Sequence, residues 1–154
     1  MLASPLLMLA QSNAPAVPDE GAPAPDFAIQ LSDGLSGHLS DLKGSVTVLD
    51  FWASWCPSCV QELPKVNTID QDYDKVVVVG IDNEDASTIA KTSTNLKLGF
   101  DTLSDQGDMI GTLYGVKALP HIVVIDAKGI VSAVINGFHD DDSLDQAVQR
   151  ALAE

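Results

Sequence analysis

The chain has 154 residues, of which 45% are apolar, and this length and composition suit one globular domain with one hydrophobic core. Its 22 acidic residues outnumber 8 basic ones, which gives a net charge of -14 at pH 7. A nucleic-acid-binding surface needs clustered lysine and arginine, so this charge balance excludes that class of function.

The first 25 residues differ in composition from the rest of the chain. Residues 1–10 are apolar, carry no lysine or arginine and are too short to span a membrane as a helix. We interpret them as the remnant of a signal or anchor, or as a tail without function. Residues 11–25 are rich in proline and alanine, which predicts a semi-rigid linker. We therefore expect a tether over residues 1–25 and one folded domain over residues 26–154.

Alternating apolar and polar residues predict that the folded domain begins with a β-hairpin. Phe27, Ile29 and Leu31 form the apolar face of a first strand. The Asp-Gly dipeptide at residues 33–34 is typical of a turn, and a second short strand is expected near residues 36–39.

Strands and helices then alternate. Residues 46–52 form the first strongly apolar strand, which we expect to be buried on both faces. A helix is predicted from about residue 58 to residue 73, with Pro57 in its first turn and apolar residues every three or four positions. Residues 76–82 predict a second buried strand.

The remaining pattern predicts a polar helix, a short strand, a short helix, two strands joined by a turn, and a final amphipathic helix. In chain order these elements span residues 84–95, 100–103, 109–114, 122–126, 130–135 and 144–152. This alternation of elements predicts an α/β fold with one mixed sheet flanked by helices.

Cys56 and Cys59 are the only cysteines, and they lie between a predicted strand and a predicted helix. A Cys-x-x-Cys pair at such a junction favours a reversible disulfide, because the N–H groups and dipole of the helix stabilise a thiolate at the first sulfur. We predict that Cys56 is the nucleophile and Cys59 the resolving thiol. A structural disulfide or half of a zinc site is the alternative, but zinc normally takes four ligands and no second cysteine pair is present. We therefore expect no metal and no other cofactor.

The residues around this pair resemble the active-site string of the thioredoxin family. The string runs from Asp50 to Cys59 and reads Asp-Phe-Trp-Ala-Ser-Trp-Cys-Pro-Ser-Cys. Pro64 matches the proline of that family's active-site helix, the Leu-Pro pair at residues 119–120 matches its cis-proline loop, and Gly137 matches a glycine after its last strand. The resemblance implies a thioredoxin-like fold with a central mixed sheet.

The likeness is closer to the TlpA-like branch of that family, which includes ResA-type and cytochrome c maturation thioredoxins. It rests on the Ala-Pro-Asp-Phe opening at residues 24–27, on Glu-Leu-Pro at residues 62–64 and on a central helical insertion over residues 84–115. Members are typically tethered outside the cytoplasmic membrane and reduce disulfides in other proteins, here called clients. The resemblance therefore implies an extracytoplasmic thiol-disulfide oxidoreductase that a thiol donor, expected to be a membrane-bound reductant, recharges. We also expect a monomer.

Asp50 is predicted to accept the proton of Cys59, directly or through a water. An ionised carboxylate is costly in an apolar strand, so burial should raise its pKa toward the working pH. An aspartate that faces the strand edge or is capped is the alternative. The thioredoxin family places a lysine beside this acid on the neighbouring strand, whereas residues 76–80 read Val-Val-Val-Val-Gly. We therefore expect desolvation to be the main cause of the shift.

Client binding is expected from five residues that flank the cysteines in the resembling family. These are Trp55, Pro57, Leu119, Pro120 and His121. Trp55 would be an apolar platform, and a cis bond before Pro120 would expose the Leu119 backbone to an incoming strand. His121 is either a contact to the client or to the thiolate, or a strand-start histidine with its own hydrogen bond.

Two neighbouring residues are expected to be structural. Trp52 is predicted in the core and Glu62 on the solvent-facing side of the active-site helix. The family likeness and Asp50 both favour reduction of clients as the direction of exchange in the cell.

Two other functions remain open at this point. A peroxidase of the peroxiredoxin type shares the Ala-Pro-Asp-Phe opening but needs a threonine three residues before the reactive cysteine and an arginine close by. This chain has Ala53 at that spacing and a lone Arg150 in the last helix. A copper- or haem-delivery protein would use Cys56, Cys59 and a histidine, since thiolates suit Cu(I).

Overall fold

The computed structural model describes residues 17–31, 34 and 36–154. The apolar stretch at residues 1–10 and Asp33 of the predicted turn lie outside the described residues. No helix among those described is long and apolar enough to cross a membrane. The strands are β1 (Ala28–Gln30), β2 (Ser36–His38), β3 (Val46–Phe51), β4 (Val76–Asp82), β5 (Asp101–Ser104), β6 (His121–Ile125) and β7 (Val131–Asn136). The helices are α1 (Pro57–Asp72), α2 (Ala86–Asn95), α3 (Met109–Leu113) and α4 (Ser143–Ala153), with a 3₁₀ turn at Leu39–Leu42.

Five strands form one mixed sheet in the order β5-β4-β3-β6-β7. The strands β3, β4 and β5 run parallel, whereas β6 is antiparallel to β3 and β7 is antiparallel to β6. A separate antiparallel hairpin joins β1 and β2. The predicted α/β fold with a mixed sheet and an N-terminal hairpin is confirmed.

The central strand β3 is buried along its whole length, as predicted, and separates two apolar clusters. One cluster contains Val48 and packs beneath α1 and α4, where Leu63 contributes. The other contains Leu49 and packs beneath the hairpin, where Ile29 contributes. Because successive side chains of a strand point to opposite faces, Asp50 lies on the face that carries α1 and the two cysteines.

Helix α1 begins at Pro57, where a missing N–H group costs no helical hydrogen bond. Cys56 is its N-cap residue. Leu63, Val66 and Ile69 are buried at spacings of three residues and form the apolar stripe of the helix. The cysteines therefore lie where a buried strand ends and a core-packed helix starts.

Helix α2 begins two residues later than its sequence predicted. Asp85 is the N-cap, since its Oδ1 accepts a hydrogen bond from the Thr88 N–H at 2.9 Å. Glu84 consequently stays in the loop after β4.

Residues 21–24 pack against the folded domain, although the sequence predicted a linker there. The Gly21 N–H donates to Val131 O at 2.8 Å, the Val131 N–H donates to Ala22 O at 2.9 Å, and the Ala24 N–H donates to Gly129 O at 2.9 Å. Prolines are tolerated beside a strand edge, because only alternate residues need to donate there. The expected linker is therefore wrong for these four residues, and the tethering role of the upstream chain stays a prediction.

Gly80 of β4 lies opposite Asp50 of β3, and the Trp52 indole fills the space beside it. A Cβ added to Gly80 would lie 2.8 Å from Trp52 Nε1 and would also collide with Thr102 Oγ1. Trp52 Nε1 in turn donates to Thr102 Oγ1 at 3.2 Å. The prediction that Trp52 belongs to the core is confirmed, since this residue is 1% exposed.

We expect Gly80→Ala to lower the free energy of unfolding by about 1–3 kcal/mol, the usual cost of extra volume in a packed core. Gly99→Ala is the control, because a Cβ there meets nothing closer than 3.4 Å. Denaturant unfolding of both oxidised variants at one pH measures the difference. Equal losses in the two variants would contradict a packing role for the Trp52 indole over Gly80.

Candidate active site

A disulfide joins Cys56 to Cys59 at the N-terminus of α1. The Cα atoms are 5.2 Å apart, and the Cys59 N–H donates to Cys56 Sγ at 3.2 Å. Cys56 is 5% exposed and Cys59 is 1% exposed. The first sulfur therefore sits where helix N–H groups and the helix dipole stabilise a negative charge, and the second sulfur is deeper in the core.

Asp50 is buried on the same face of the sheet as the two cysteines. Its partners in the sheet are Gly80 on β4 and Ile122 on β6, and the residue is 2% exposed. Burial, and after it the negative charge of Glu62, raises the pKa of Asp50 well above its usual range. Desolvation is thus the main cause, as expected, while the role of Asp50 as proton acceptor stays a prediction.

Glu62 is buried in α1, so its expected position on the solvent-facing side is wrong. Its Oε2 accepts a hydrogen bond from the His139 N–H at 3.3 Å, and its Oε1 has no partner among the described residues. Burial raises the pKa of Glu62, and the hydrogen bond from His139 opposes that shift. The missed signal is spacing, because Glu62 follows Cys59 by three residues and therefore shares its face of the helix.

Exposed and backbone groups surround the disulfide. Trp55 is 66% exposed directly before it, and Pro57 is exposed directly after it. The Leu119–Pro120 peptide bond is cis, as predicted. Leu119 is half-buried against the cluster that contains both cysteines, and the Pro120 carbonyl accepts the Gly137 N–H at 2.9 Å. Contact of these residues with a client stays a prediction.

His121 begins β6 and lies on the opposite face of the sheet from the cysteines. Its ring packs edge-on against Phe51, with the ring centroids 5.7 Å apart. Its Nε2 is buried and has no hydrogen-bond partner among the described residues. Burial lowers the pKa of His121, and the Asn136 side chain opposes that shift. Asp50 and Glu62 therefore lie on the same face of the sheet as the sulfurs, whereas His121 lies on the opposite face.

This arrangement suits thiol–disulfide exchange. The start of α1 stabilises a Cys56 thiolate, and a carboxyl of raised pKa on the same face of the sheet can hold the proton of Cys59. Within residues 17–31, 34 and 36–154, no three His, Cys, Asp or Glu side chains converge to hold a metal ion.

Known proteins resemble this chain over most of its length. The model of the AhpC/TSA family matches residues 21–134. Thioredoxin-like protein YneN of Bacillus subtilis is 31% identical over 132 residues, which are 82% of this chain and 77% of that protein. Thiol-disulfide oxidoreductase ResA of Geobacillus thermodenitrificans is 30% identical over 133 residues, or 84% and 76% of the two chains. A Chlorobium tepidum structure assigned as a DsbE thiol:disulfide interchange protein has a TM-score of 0.81 and 35% identity, and covers 88% of this chain and 99% of its own.

The raised pKa of Asp50 predicts how stability depends on pH. A carboxyl whose pKa is higher in the folded state stabilises the fold below its unfolded pKa of about 3.9, and this stabilisation is lost as the pH rises through the folded pKa. The oxidised Asp50→Asn variant stays neutral throughout. It should therefore match the parent near pH 3 and resist denaturant better than the parent near pH 8.

Denaturation midpoints across this pH range measure the effect. Asp74→Asn is the control, since Asp74 is an exposed acid in the turn before β4. It should follow the parent at every pH. Midpoints of Asp50→Asn that also run parallel to the parent would contradict the raised pKa.

Proposed function

The chain belongs to the AhpC/TSA family of thioredoxin-like proteins, and from this premise we propose that it reduces disulfides in other proteins. Its reaction class is thiol–disulfide exchange, because Cys56 and Cys59 form a disulfide in a fold shared with thiol-disulfide oxidoreductases. The observation that carries the proposal is the N-cap position of Cys56, whose Sγ accepts the Cys59 N–H at 3.2 Å.

In the first step, the Cys56 thiolate attacks one sulfur of a client disulfide. A mixed disulfide forms, and the other client sulfur leaves as a thiolate. The N–H groups at the start of α1 support the attack by keeping Cys56 ionised. In this proposal the exposed Trp55 makes apolar contact with the client, and the Leu119 backbone, next to the buried Pro120, pairs with a client strand.

In the second step, Cys59 attacks Cys56 Sγ and releases the second client sulfur. The internal disulfide forms, so the client gains two electrons and this protein loses two. Cys59 is 1% exposed, so a nearby group must accept its proton. Asp50 suits this role because burial, and after it the charge of Glu62, raises its pKa well above the usual range of an aspartate.

The oxidised protein must then be reduced by another thiol donor. We propose a membrane-bound reductant outside the cytoplasm, because the TlpA-like resemblance implies a tethered extracytoplasmic protein that acts as a monomer. The direction follows the difference in reduction potential between the partners, where 30 mV corresponds to about 1.4 kcal/mol.

The two alternative functions have less support. A peroxidase of the peroxiredoxin type needs a threonine where the buried Ala53 stands, and the arginine it needs would have to come from Arg150, which is exposed in α4. The copper-delivery hypothesis pairs the two sulfurs with a histidine, and among the described residues no histidine converges with them to form a group of three metal ligands.

The Cys59→Ser variant should trap a client on Cys56, because the thiol that resolves the mixed disulfide is missing. Reduced variant mixed with insulin should give a disulfide-linked adduct on a non-reducing gel, and mass spectrometry of its peptides identifies the bond. Cys56→Ser is the matched control and should give no adduct, since Cys59 is 1% exposed. Equal trapping through Cys59 would contradict the assignment of Cys56 as nucleophile.

The Asp50→Asn variant should slow the second step by on the order of 10²-fold at neutral pH, the usual contribution of a general base. The defect should shrink as the pH rises, because Cys59 then ionises without help. Release of client thiol from a preformed mixed disulfide, followed by stopped flow, measures this rate. A defect of constant size at every pH would contradict a role in proton uptake.

A further inference from the structure

A second pair of carboxyl groups, Asp82 and Glu84, lies at the end of β4, and no step of the proposed exchange uses it. Glu84 Oε2 accepts the Ser54 N–H at 2.9 Å, and Glu84 Oε1 accepts the Ser54 hydroxyl at 2.7 Å. Ser54 lies two residues before Cys56, in the loop between β3 and α1. The Glu84 carboxylate therefore holds both the backbone and the side chain of Ser54, just before the chain reaches the active-site cysteines. We call these two hydrogen bonds the Ser54–Glu84 clamp.

The clamp is itself held from the neighbouring strands. The Glu84 N–H donates to Asp82 Oδ1 at 2.8 Å, and the Ser104 hydroxyl at the end of β5 donates to Glu84 O at 2.6 Å. On the side of the cysteines, the Cys56 N–H donates to Ala53 O at 3.2 Å. A continuous chain of hydrogen bonds thus connects β5 and β4 with the loop that presents the reactive sulfur.

Asp82 is the unusual member of this group, since it is 1% exposed and its Oδ2 has no donor among the described residues. An ionised Asp82 would place a second negative charge beside the Glu84 carboxylate while its Oδ2 has no donor, which is costly in a buried site. A proton on Asp82 removes that cost and lets Asp82 donate to Glu84.

The pKa values of the two groups are consistent with one shared proton. Burial, together with the hydrogen bond between the two side chains and the negative charge of Glu84, raises the pKa of Asp82 to about 7, although the hydrogen bond from the Glu84 N–H opposes this shift. Burial acts in the same direction on Glu84, but the hydrogen bonds from Ser54 and Asp82 outweigh it and lower the pKa of Glu84. Below about pH 7 the charge therefore resides on Glu84, where it holds Ser54.

We propose that Glu84 is a positioning residue for the Cys56 thiol, and that Asp82 keeps Glu84 in place while Asp82 is protonated. The clamp sets where Cys56 Sγ meets the N–H groups of α1, and so sets how readily the thiol ionises. When Asp82 loses its proton, two like charges are adjacent, the clamp weakens and a thiolate nearby is disfavoured. This inference rests on the proposed function in one respect, which is that Cys56 is the nucleophile.

Asp85 on the same loop also adds a negative charge that raises the pKa of Asp82. The ionisable side chains on the neighbouring elements are Asp105 after β5, Asp50 on β3, Cys56 before α1, and Cys59 and Glu62 in α1. Each of these groups carries a negative charge when ionised, so its ionisation would act in the same direction as that of Glu84.

The test measures the rate at which iodoacetamide alkylates Cys56 as a function of pH. It uses the full chain carrying Cys59→Ser and Asp50→Asn, so that Cys56 is the only thiol and the titration of Asp50 is removed. The profile should show an inflection near pH 7 in addition to that of the thiol. Asp82→Asn donates to Glu84 at every pH, so this inflection should disappear. An unchanged profile would overturn the proposal.

A second variant tests the clamp without changing any charge. Ser54→Ala removes the hydroxyl half of the clamp and should slow alkylation below the thiol pKa about fivefold, the factor that corresponds to a hydrogen bond of ordinary net strength. Asp85→Ser is the control, because it removes a neighbouring charge but keeps a helix-capping residue. It should retain the inflection. An unchanged rate in Ser54→Ala, with the fold intact by circular dichroism, would also overturn the proposal.

The two proposals fail in different ways. Insulin reduction by the parent chain tests the proposed function, whereas alkylation of Cys56 involves no client. A parent that fails to reduce insulin but keeps the Asp82-dependent inflection would overturn the function and support the positioning role of Glu84.

Discussion

The hydrogen bond from the Cys59 N–H to Cys56 Sγ is the contact on which the site depends. It exists because β3 is followed by a helix that starts at Pro57, and the first N–H groups of that helix have no helical partners. The same helix buries Leu63 and Val66 in the core, so the position of the sulfur is fixed by the packing of a whole face of the sheet. Helix α1 therefore both stabilises the reactive sulfur and contributes to the hydrophobic core.

Buried acids, rather than bases, accompany the sulfurs. Asp50, Glu62 and Asp82 each have a pKa raised by burial, and a chain with a net charge of -14 adds a negative background. Where these acids ionise, their negative charge disfavours a Cys56 thiolate and so favours the disulfide over the dithiol. A dithiol that loses electrons easily is a good reductant, which agrees with the proposed direction.

Local patterns were sufficient to predict most of the fold. The bounds of β4 match because an uninterrupted apolar run ends at a polar residue, and α1 differs by one residue at each end because its capping residues are recognisable. The burial of Glu62 follows from its spacing of three residues from Cys59, whereas its charged residue type predicts exposure. Residues 21–24 were misplaced because their partners near Val131 are more than 100 positions away, and pairing at a sheet edge has no local signal.

The site was partly predictable for the same reason. The string from Asp50 to Cys59 is contiguous, so its chemistry is readable from order and spacing alone. Glu84 acts on Ser54 across two loops, and only the alignment of β3 with β4 brings them together. The orientation of His121 follows from strand alternation once its register with Phe51 is known, and that register is a property of the folded sheet.

The path of residues 17–24 also has a geometric consequence. These residues run beside β7, and Val17 packs against Gly115 in a cleft that Ala118 and His121 also line. Because His121 pairs with the last residue of β3, this cleft lies at the end of the sheet where the disulfide is. A domain held at Val17 would therefore be held at the end of the sheet that carries the two sulfurs.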